Sequence, residues 1–320
     1  MVNRAAFLGR SVALSTSALL VPSALRAAAA DAPAVINVGA IPLDTIGTVY
    51  YALDLGYFKN AGLTVNIQTM PGGPQAAAAL AAGAIDVSVG PITTVALAHL
   101  HGVDFKYIAP AAIITGHTLT DPLMVAIDST ITKGADLNGK TIGISGLKSM
   151  QQVSAMSWVD THGGDAKSLK FVELPFPQMG QALVQHRVDA VTSVEPFASS
   201  FKGIARSLGN VLDGIAPTFM ELGYFAPPAW LQANPATANR FVAALRQAAI
   251  WANTHQKESA EILVRYAKLD PAVVSTMARA TYGTTLSASM IQPVIDASAK
   301  YDVIDKTFPA SELIWQAPRP

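Results

Sequence analysis

The strongest constraint on the fold is a repeated switch between two hydrophobic periods. VINVGAI at 35–41 is a short apolar run with strand character, and TIGTVYYALDLGYFKNAG at 45–62 has helical spacing and closes on Gly62. LTVNIQTM at 63–70 alternates as a strand and stops at PGGP. QAAAALAAG at 75–83 is helical, AIDVSVG at 84–90 is a strand stopped by Gly90-Pro91, and TTVALAHLHG at 93–102 is helical again. Strands of this length alternating with helices build βαβ units, hence a parallel sheet with helices on both faces. Such sheets bind ligands beyond the carboxyl ends of their strands. Those ends fall at 42–45, 71–74 and 90–93, stretches rich in Gly, Pro and Thr and nearly free of charge.

A second unit follows with the same rhythm. DPLMVAIDST is a strand, KTIGIS a strand, KSMQQVSAMSWVDTHGG a helix, LKFVELP a strand, and MGQALVQHRVDAVTSVEP a helix and then a strand. AALAAGAIDVSVGP at 78–91 echoes QALVQHRVDAVTSVEP at 181–196. Each has Ala-Leu, a gap, an Ile/Val-Asp pair entering a strand, and a Pro after it, as two halves built alike would show. The last third is helical. NPATANRFVAALRQAAIWANTHQ offers Asn234 as N-cap and Pro235 at the first position. ESAEILVRYAKL, DPAVVSTMARATYG and SASMIQPVIDASAKYDV continue in the same vein.

KTIGISGLKSMQQ at 140–152 tests the catalytic readings. A P-loop needs a Gly directly before Lys-Ser/Thr. Here Leu147 separates Gly146 from Lys148. A nucleophile elbow needs G-x-S-x-G, and Leu147 stands where its second Gly belongs. What remains is a strand–turn–helix whose free N–H groups suit an anion.

Of the 320 residues, 51% are apolar and 14% charged, with equal numbers of acidic and basic side chains, so the chain has a large core and no basic stripe for nucleic acid. It has no cysteine, which excludes thiolate chemistry and disulfides. His99-x-His101 is the one close histidine pair, and its spacing faces two directions on a helix, so no metal is expected. The first 30 residues have the form of a secretory leader: Arg4 and Arg10, the apolar run SVALSTSALLV, then Ala-x-Ala options around 27–30. NRAAFLG has one Arg where a twin-arginine signal has two, which favours general export. Cleavage would remove Arg4, Arg10 and Arg26 and leave 19 basic against 22 acidic side chains.

Four stretches then stand in order: GYFKNAGLTV, ALAAGAIDVSVG, ADLNGKTIGIS and ALVQHRVDAVTSVEPF. Together they make the chain resemble the solute-binding proteins of ABC importers for nitrate, sulfonates and taurine, a family that includes binders of thiamine precursors. The resemblance implies an α/β, periplasmic-binding-protein-like fold of type II: two βαβ lobes, a central cleft and hinge strands. It places lobe one at 34–118 plus 222–320 and lobe two at 121–220. Crossings would fall near 118–123 and 223–229, where Gly223, Pro227 and Pro228 can bend the backbone. In lobe two the resemblance implies solute contacts from Ser145, Lys148, Ser149, Met150 and Gln151. Glu195 before Pro196 would accept from the solute, pair with Lys148 or cap the next helix. The opposite wall would come from Asp44, Thr45, Thr48, Gly72, Gly73, Gly90, Thr93 and Thr94, with Tyr224 at the crossing.

The function implied is an exported, monomeric, non-catalytic binding protein without cofactor, delivering a small solute to an ABC permease in the inner membrane. One Lys and several hydroxyl and N–H donors suggest an anionic sulfonate or carboxylate. A neutral heterocycle such as a thiamine precursor is the alternative. An enzyme on the same fold, or a sensor module acting through a partner chain, is a different class of reading.

Overall fold

The computed structural model describes residues 33–70, 73–116 and 119–316. The leader stretch at 1–30, Gly72 and the crossing residue Thr118 lie outside them, as do the side chains of Gly73 and Pro74. Among the described residues no helix is long and apolar enough to cross a membrane.

Three sheets organise the chain. The first has the order β2-β1-β3-β12-β4, from β1 (Ala34–Ala40), β2 (Leu63–Thr69), β3 (Val87–Pro91), β4 (Lys106–Pro110) and β12 (Leu222–Ala226). The second has the order β10-β6-β9-β7-β8, from β6 (Pro122–Ala126), β7 (Thr141–Ile144), β8 (Lys170–Glu173), β9 (Ala190–Thr192) and β10 (Ala205–Asn210). In each, a parallel trio is formed by two consecutive βαβ units: β2-β1-β3 in one, β8-β7-β9 in the other. An antiparallel strand follows the trio, β12 beside β3 and β6 beside β9. A small third sheet, β11-β5-β13, joins Thr218–Met220, Ala112–Thr115 and Thr281–Tyr282, all antiparallel to β5.

The echo between 78–91 and 181–196 has a physical basis. Asp86 donates its N–H to Asn37 O and accepts the Asn37 N–H on its carboxylate at 2.7 Å. Asp189 does the same with Thr141, at 2.8 Å to the carboxylate. Each Asp thus fastens the entrance of one inner strand to its parallel neighbour.

Two connections run between the large sheets, one from β4 to β6 and one from β10 to β12, and they pair with each other. Phe219 lies opposite Ile114, and Glu221 donates its N–H to Ala112 O at 3.0 Å. The second crossing therefore precedes β12, and the expected position at 223–229 is corrected. Every residue of β12 is buried. Gly223 is inside that strand for close packing: a Cβ there would stand 2.7 Å from the Tyr107 ring.

Other local expectations also shift. The helix foreseen over 45–62 is broken because Gly56 takes a left-handed φ of 73°, leaving Thr48–Asp54 and Tyr57–Asn60. The helix foreseen through DPAVVSTMARATYG ends at Val274, and its tail becomes β13. Asn234 precedes the helix Pro235–Ala252 without a side-chain cap, since its amide donates to Trp230 O.

Candidate functional site

The turns after the parallel strands carry most of the expected site residues, and the structure sorts them into three groups. The first is an interior node. Asp44 follows β1 and is fully buried. Its carboxylate accepts from Arg279 Nε and Nη2 at 3.1 and 3.0 Å, from the Ala280 N–H at 2.7 Å and from the Tyr282 hydroxyl at 3.0 Å. Arg279 also donates to Gln256 O and the Ser259 hydroxyl. Burial opposes its charge, and Asp44 outweighs burial and holds it protonated. Thr45 and Thr48 are buried beside this node. Thr48 Oγ1 shares a 2.8 Å hydrogen bond with the hydroxyl of Tyr224, itself a core residue. The Asp44 carboxylate and the Tyr224 hydroxyl are engaged within this node, so the two residues brace the strand ends of the first sheet.

The second group is the turn between β7 and the helix Met150–Thr161. Ser149 caps the helix, accepting from Gln152 N. Ser145 donates to Gln151 Oε1 at 2.9 Å. The N–H of Leu147 donates to Glu173 Oε1 at 2.6 Å, and that of Lys148 to Gln152 Oε1 at 2.8 Å. The helix N-terminus that would attract an anion thus already faces a carboxylate of its own chain, delivered from the end of β8. The N–H groups of Met150 and Gln151 have no acceptor among the described residues. Lys148 is exposed, with φ 54°, and makes no ion pair with Glu195.

The third group lies along the seam between the sheets and is where the unanswered chemistry collects. Glu195 follows β9 and is buried. Its carboxylate accepts from the Ser199 N–H and hydroxyl at 3.1 and 2.9 Å. Burial raises its pKa, the Ser199 bonds work against that, and the Asp44 charge adds to it. Asp44 is on the first sheet and Glu195 on the second, so the two strand-end regions are near enough to act on each other electrostatically. The backbone ties the seam together: Ser193 N donates to Pro122 O, Glu195 N to Thr120 O and Val211 N to Asp121 O. Pairing of Leu222 with Pro91 puts Glu221 beside Ile92, at the start of the helix that carries Thr93 and the half-buried Thr94. Gly90, one residue earlier, is buried within β3.

Here the hydroxyls of Ser88, Thr93, Thr120, Thr192 and Ser193, one oxygen of Asp121 and one of Glu221 are buried with no hydrogen-bond partner among the described residues. Native proteins leave few such groups. Asp121, Glu221 and Arg279 were not anticipated from the sequence. The available signal was a lone acid inside an apolar run, in TFMELGYFA and again in DPLMVA. Among the described residues no cluster of three His, Asp or Glu could hold a metal ion. Two surface recesses, of about 350 Å³ around Tyr57, Trp251 and His255 and of about 470 Å³ around Val242, Leu286 and Trp315, include none of these site residues.

A family model described as NMT1/THI5 like matches residues 45–259. The formylaminopyrimidine-binding protein of Halalkalibacterium halodurans is 24% identical over 221 residues, 68% of this chain and 65% of that protein's length. The periplasmic aliphatic sulphonate binding protein SsuA from Escherichia coli superposes with a TM-score of 0.73 at 20% identity, over 90% of this chain and 94% of that one. The desulfurization enzyme DSZB superposes with a TM-score of 0.64 at 14% identity, over 88% and 96%. The shared fold is of the α/β periplasmic-binding-protein type.

Proposed function

Because the chain belongs to the NMT1/THI5-like family, whose model spans 45–259, we propose that it is an exported solute-binding protein that delivers a small molecule to an ABC permease. The two lobes are those named from the sequence, 34–118 with 222–320 and 121–220, each built on one large sheet. They close on the solute, and the permease reads the closed form, which solute bonds to both lobes make the more populated one. The protein works without cofactor and without turning the solute over. The family and fold support this role, and among the described residues no complete nucleophile–base arrangement stands at the strand ends.

We further propose a solute that presents N–H donors, of the amino-heterocycle or amine class, in place of the anion first suggested by the sequence. One observation carries this: the seam offers acceptors and hydroxyls but no uncommitted cation among the described residues. Glu195, Asp121 and Glu221 line it, and its neighbouring cation, Arg279, is held by Asp44. A sulfonate brings acceptors only, so it leaves these carboxyl groups unanswered, and it meets Glu195 with like charge when that group is ionised. At 4 Å and an effective dielectric of 20 such a pair costs about 4 kcal/mol. The name of the Halalkalibacterium relative agrees with this class.

The test is a thermal-shift screen of the full chain against aminopyrimidines and amines on one side and alkanesulfonates, taurine and nitrate on the other. At 100 times its dissociation constant a specific solute adds about 2.7 kcal/mol. Aminopyrimidines or amines are expected to stabilise, with the gain reduced at least tenfold in affinity by Glu195→Gln. Stabilisation by sulfonates or nitrate alone refutes the solute class and leaves the binding role. Mass spectrometry that recovers an altered solute refutes the role.

A further inference from the structure

The two connections between the large sheets each carry one buried carboxyl group. Asp121 ends the first connection, one residue before β6, and Glu221 sits in the second, between β11 and β12. The connections are hydrogen-bonded to each other through β5 and β11 and through Glu221 N to Ala112 O. Each carboxyl has an oxygen buried without a hydrogen-bond partner among the described residues. A pair of acids with no cation beside it among the described residues, in the segments that must bend if the sheets move, is unusual: a buried carboxylate ordinarily has a partner, and neighbouring carboxylates cannot both ionise cheaply.

We propose that Asp121 and Glu221 form a proton-operated latch across the two connecting strands, which holds them tightest when both groups are protonated and loosens them when the first charge appears. The surroundings support one charge step near neutrality. Burial pushes Asp121 up to about 7, with the Thr120 hydroxyl pulling it down and the Glu195 charge pushing it further up. Burial and then the Asp121 charge hold Glu221 well above the usual carboxylate range. The charged groups acting on the pair are Glu195, from the turn after β9, and the two acids themselves. Arg279 acts on Asp44 in the next layer. In mild acid the pair is neutral. Above neutrality the pair takes on its first charge in an apolar setting.

The sign follows from the raised folded-state pKa. Stability from the neutral pair is complete below the unfolded carboxylate range, near pH 4, and is lost as pH rises through about 7. Because the acids sit in the connections, the loss falls on β5 and β11 before it falls on the cores of the sheets. The latch needs no solute, so its test is separate from that of the solute class.

Amide hydrogen exchange of the solute-free full chain, corrected for intrinsic rates, reads it directly. Between about pH 5 and pH 8 the protection factors of Ile113, Ile114 and Phe219 should fall by tenfold or more, while those of Val38 and Ile142 in the sheet interiors hold. Asp121→Asn and Glu221→Gln should each flatten that dependence. Carbonyl ¹³C titration of the wild-type protein covers the case in which a variant fails to fold: one Asp carboxyl should titrate near neutrality. Constant protection of the connecting strands in the wild type overturns the latch. So does an equal fall in both folded variants, or an Asp121 carboxyl that titrates near pH 4.

Discussion

Removing Arg279 separates two readings of Asp44. If Asp44 is a brace, its carboxylate depends on Arg279. If it is a solute contact, losing Arg279 should matter mainly for binding. The carboxylate is completely buried, and the Arg279 guanidinium is nearly so. The guanidinium supplies two of its close hydrogen bonds, at 3.0 and 3.1 Å. Arg279→Met keeps much of the apolar stem and removes the charge, leaving an anion that the Ala280 N–H and Tyr282 hydroxyl cannot compensate. Breaking one side of a buried ion pair costs about 3–5 kcal/mol. For a domain of this size each kcal/mol lowers the melting temperature by about 2–4 °C, so a drop of about 6–20 °C is expected. Urea unfolding at pH 7 should show the same loss in midpoint at unchanged m-value. Asp44→Asn placed on Arg279→Met should restore at least about 2 kcal/mol of it, because the stranded charge is gone. An Arg279→Met protein within about 1 kcal/mol of wild type would refute the brace and return Asp44 to the solute.

Two further outcomes follow from the turn after β7 and from the core. Lys148→Ala should leave stability and solute affinity unchanged, whereas Glu173→Gln should increase the protein's affinity for sulfate or an alkanesulfonate several-fold by removing the carboxylate that faces the helix N-terminus; isothermal titration of both variants checks this, and a loss of aminopyrimidine binding in Lys148→Ala contradicts it. Tyr224→Phe should cost about 1 kcal/mol in chemical denaturation through the lost Thr48 bond, with solute affinity kept if Tyr224 is the core residue described above.

The fold was largely legible because its signal is local. The alternation over 35–91 and again over 122–196 is a property of short windows, and the Asp86 and Asp189 echo records one hydrogen-bond device used twice. The short strands outside those units were less visible. β11, β12 and β13 are three, five and two residues long, and they become strands by pairing with residues more than a hundred positions away. The site was legible in outline only. Strand ends predict where polar side chains gather, but not which of them turn inward to each other. Asp44 and Tyr224 look like ligand contacts in the sequence because Arg279 and Thr48, their partners, are 235 and 176 residues distant. Lys148 looks like an anion clamp because Glu173, which faces the same turn, comes from the next strand.

The polar groups left without partners are the reason we propose this seam, and not the outer recesses, as the solute site. All seven lie in β3, at the end of β9, in the helix start after β3, and in the two connections. At roughly 1–3 kcal/mol for each buried group without a hydrogen bond, together they rival the 5–15 kcal/mol by which a domain is ordinarily stable. Such a cost is tolerated where something else answers it. A proton answers an acid, which is why Asp121 and Glu221, enclosed without the cation that Asp44 has, show the raised affinities for protons that burial imposes. Hydroxyls need a group that donates and accepts, and Glu195, whose oxygens already accept from Ser199, has acceptor capacity left for an N–H donor. The planar amino-heterocycle proposed above would meet both demands in one molecule. A sulfonate, with acceptors only, would answer the hydroxyls and leave Glu195 worse off than before.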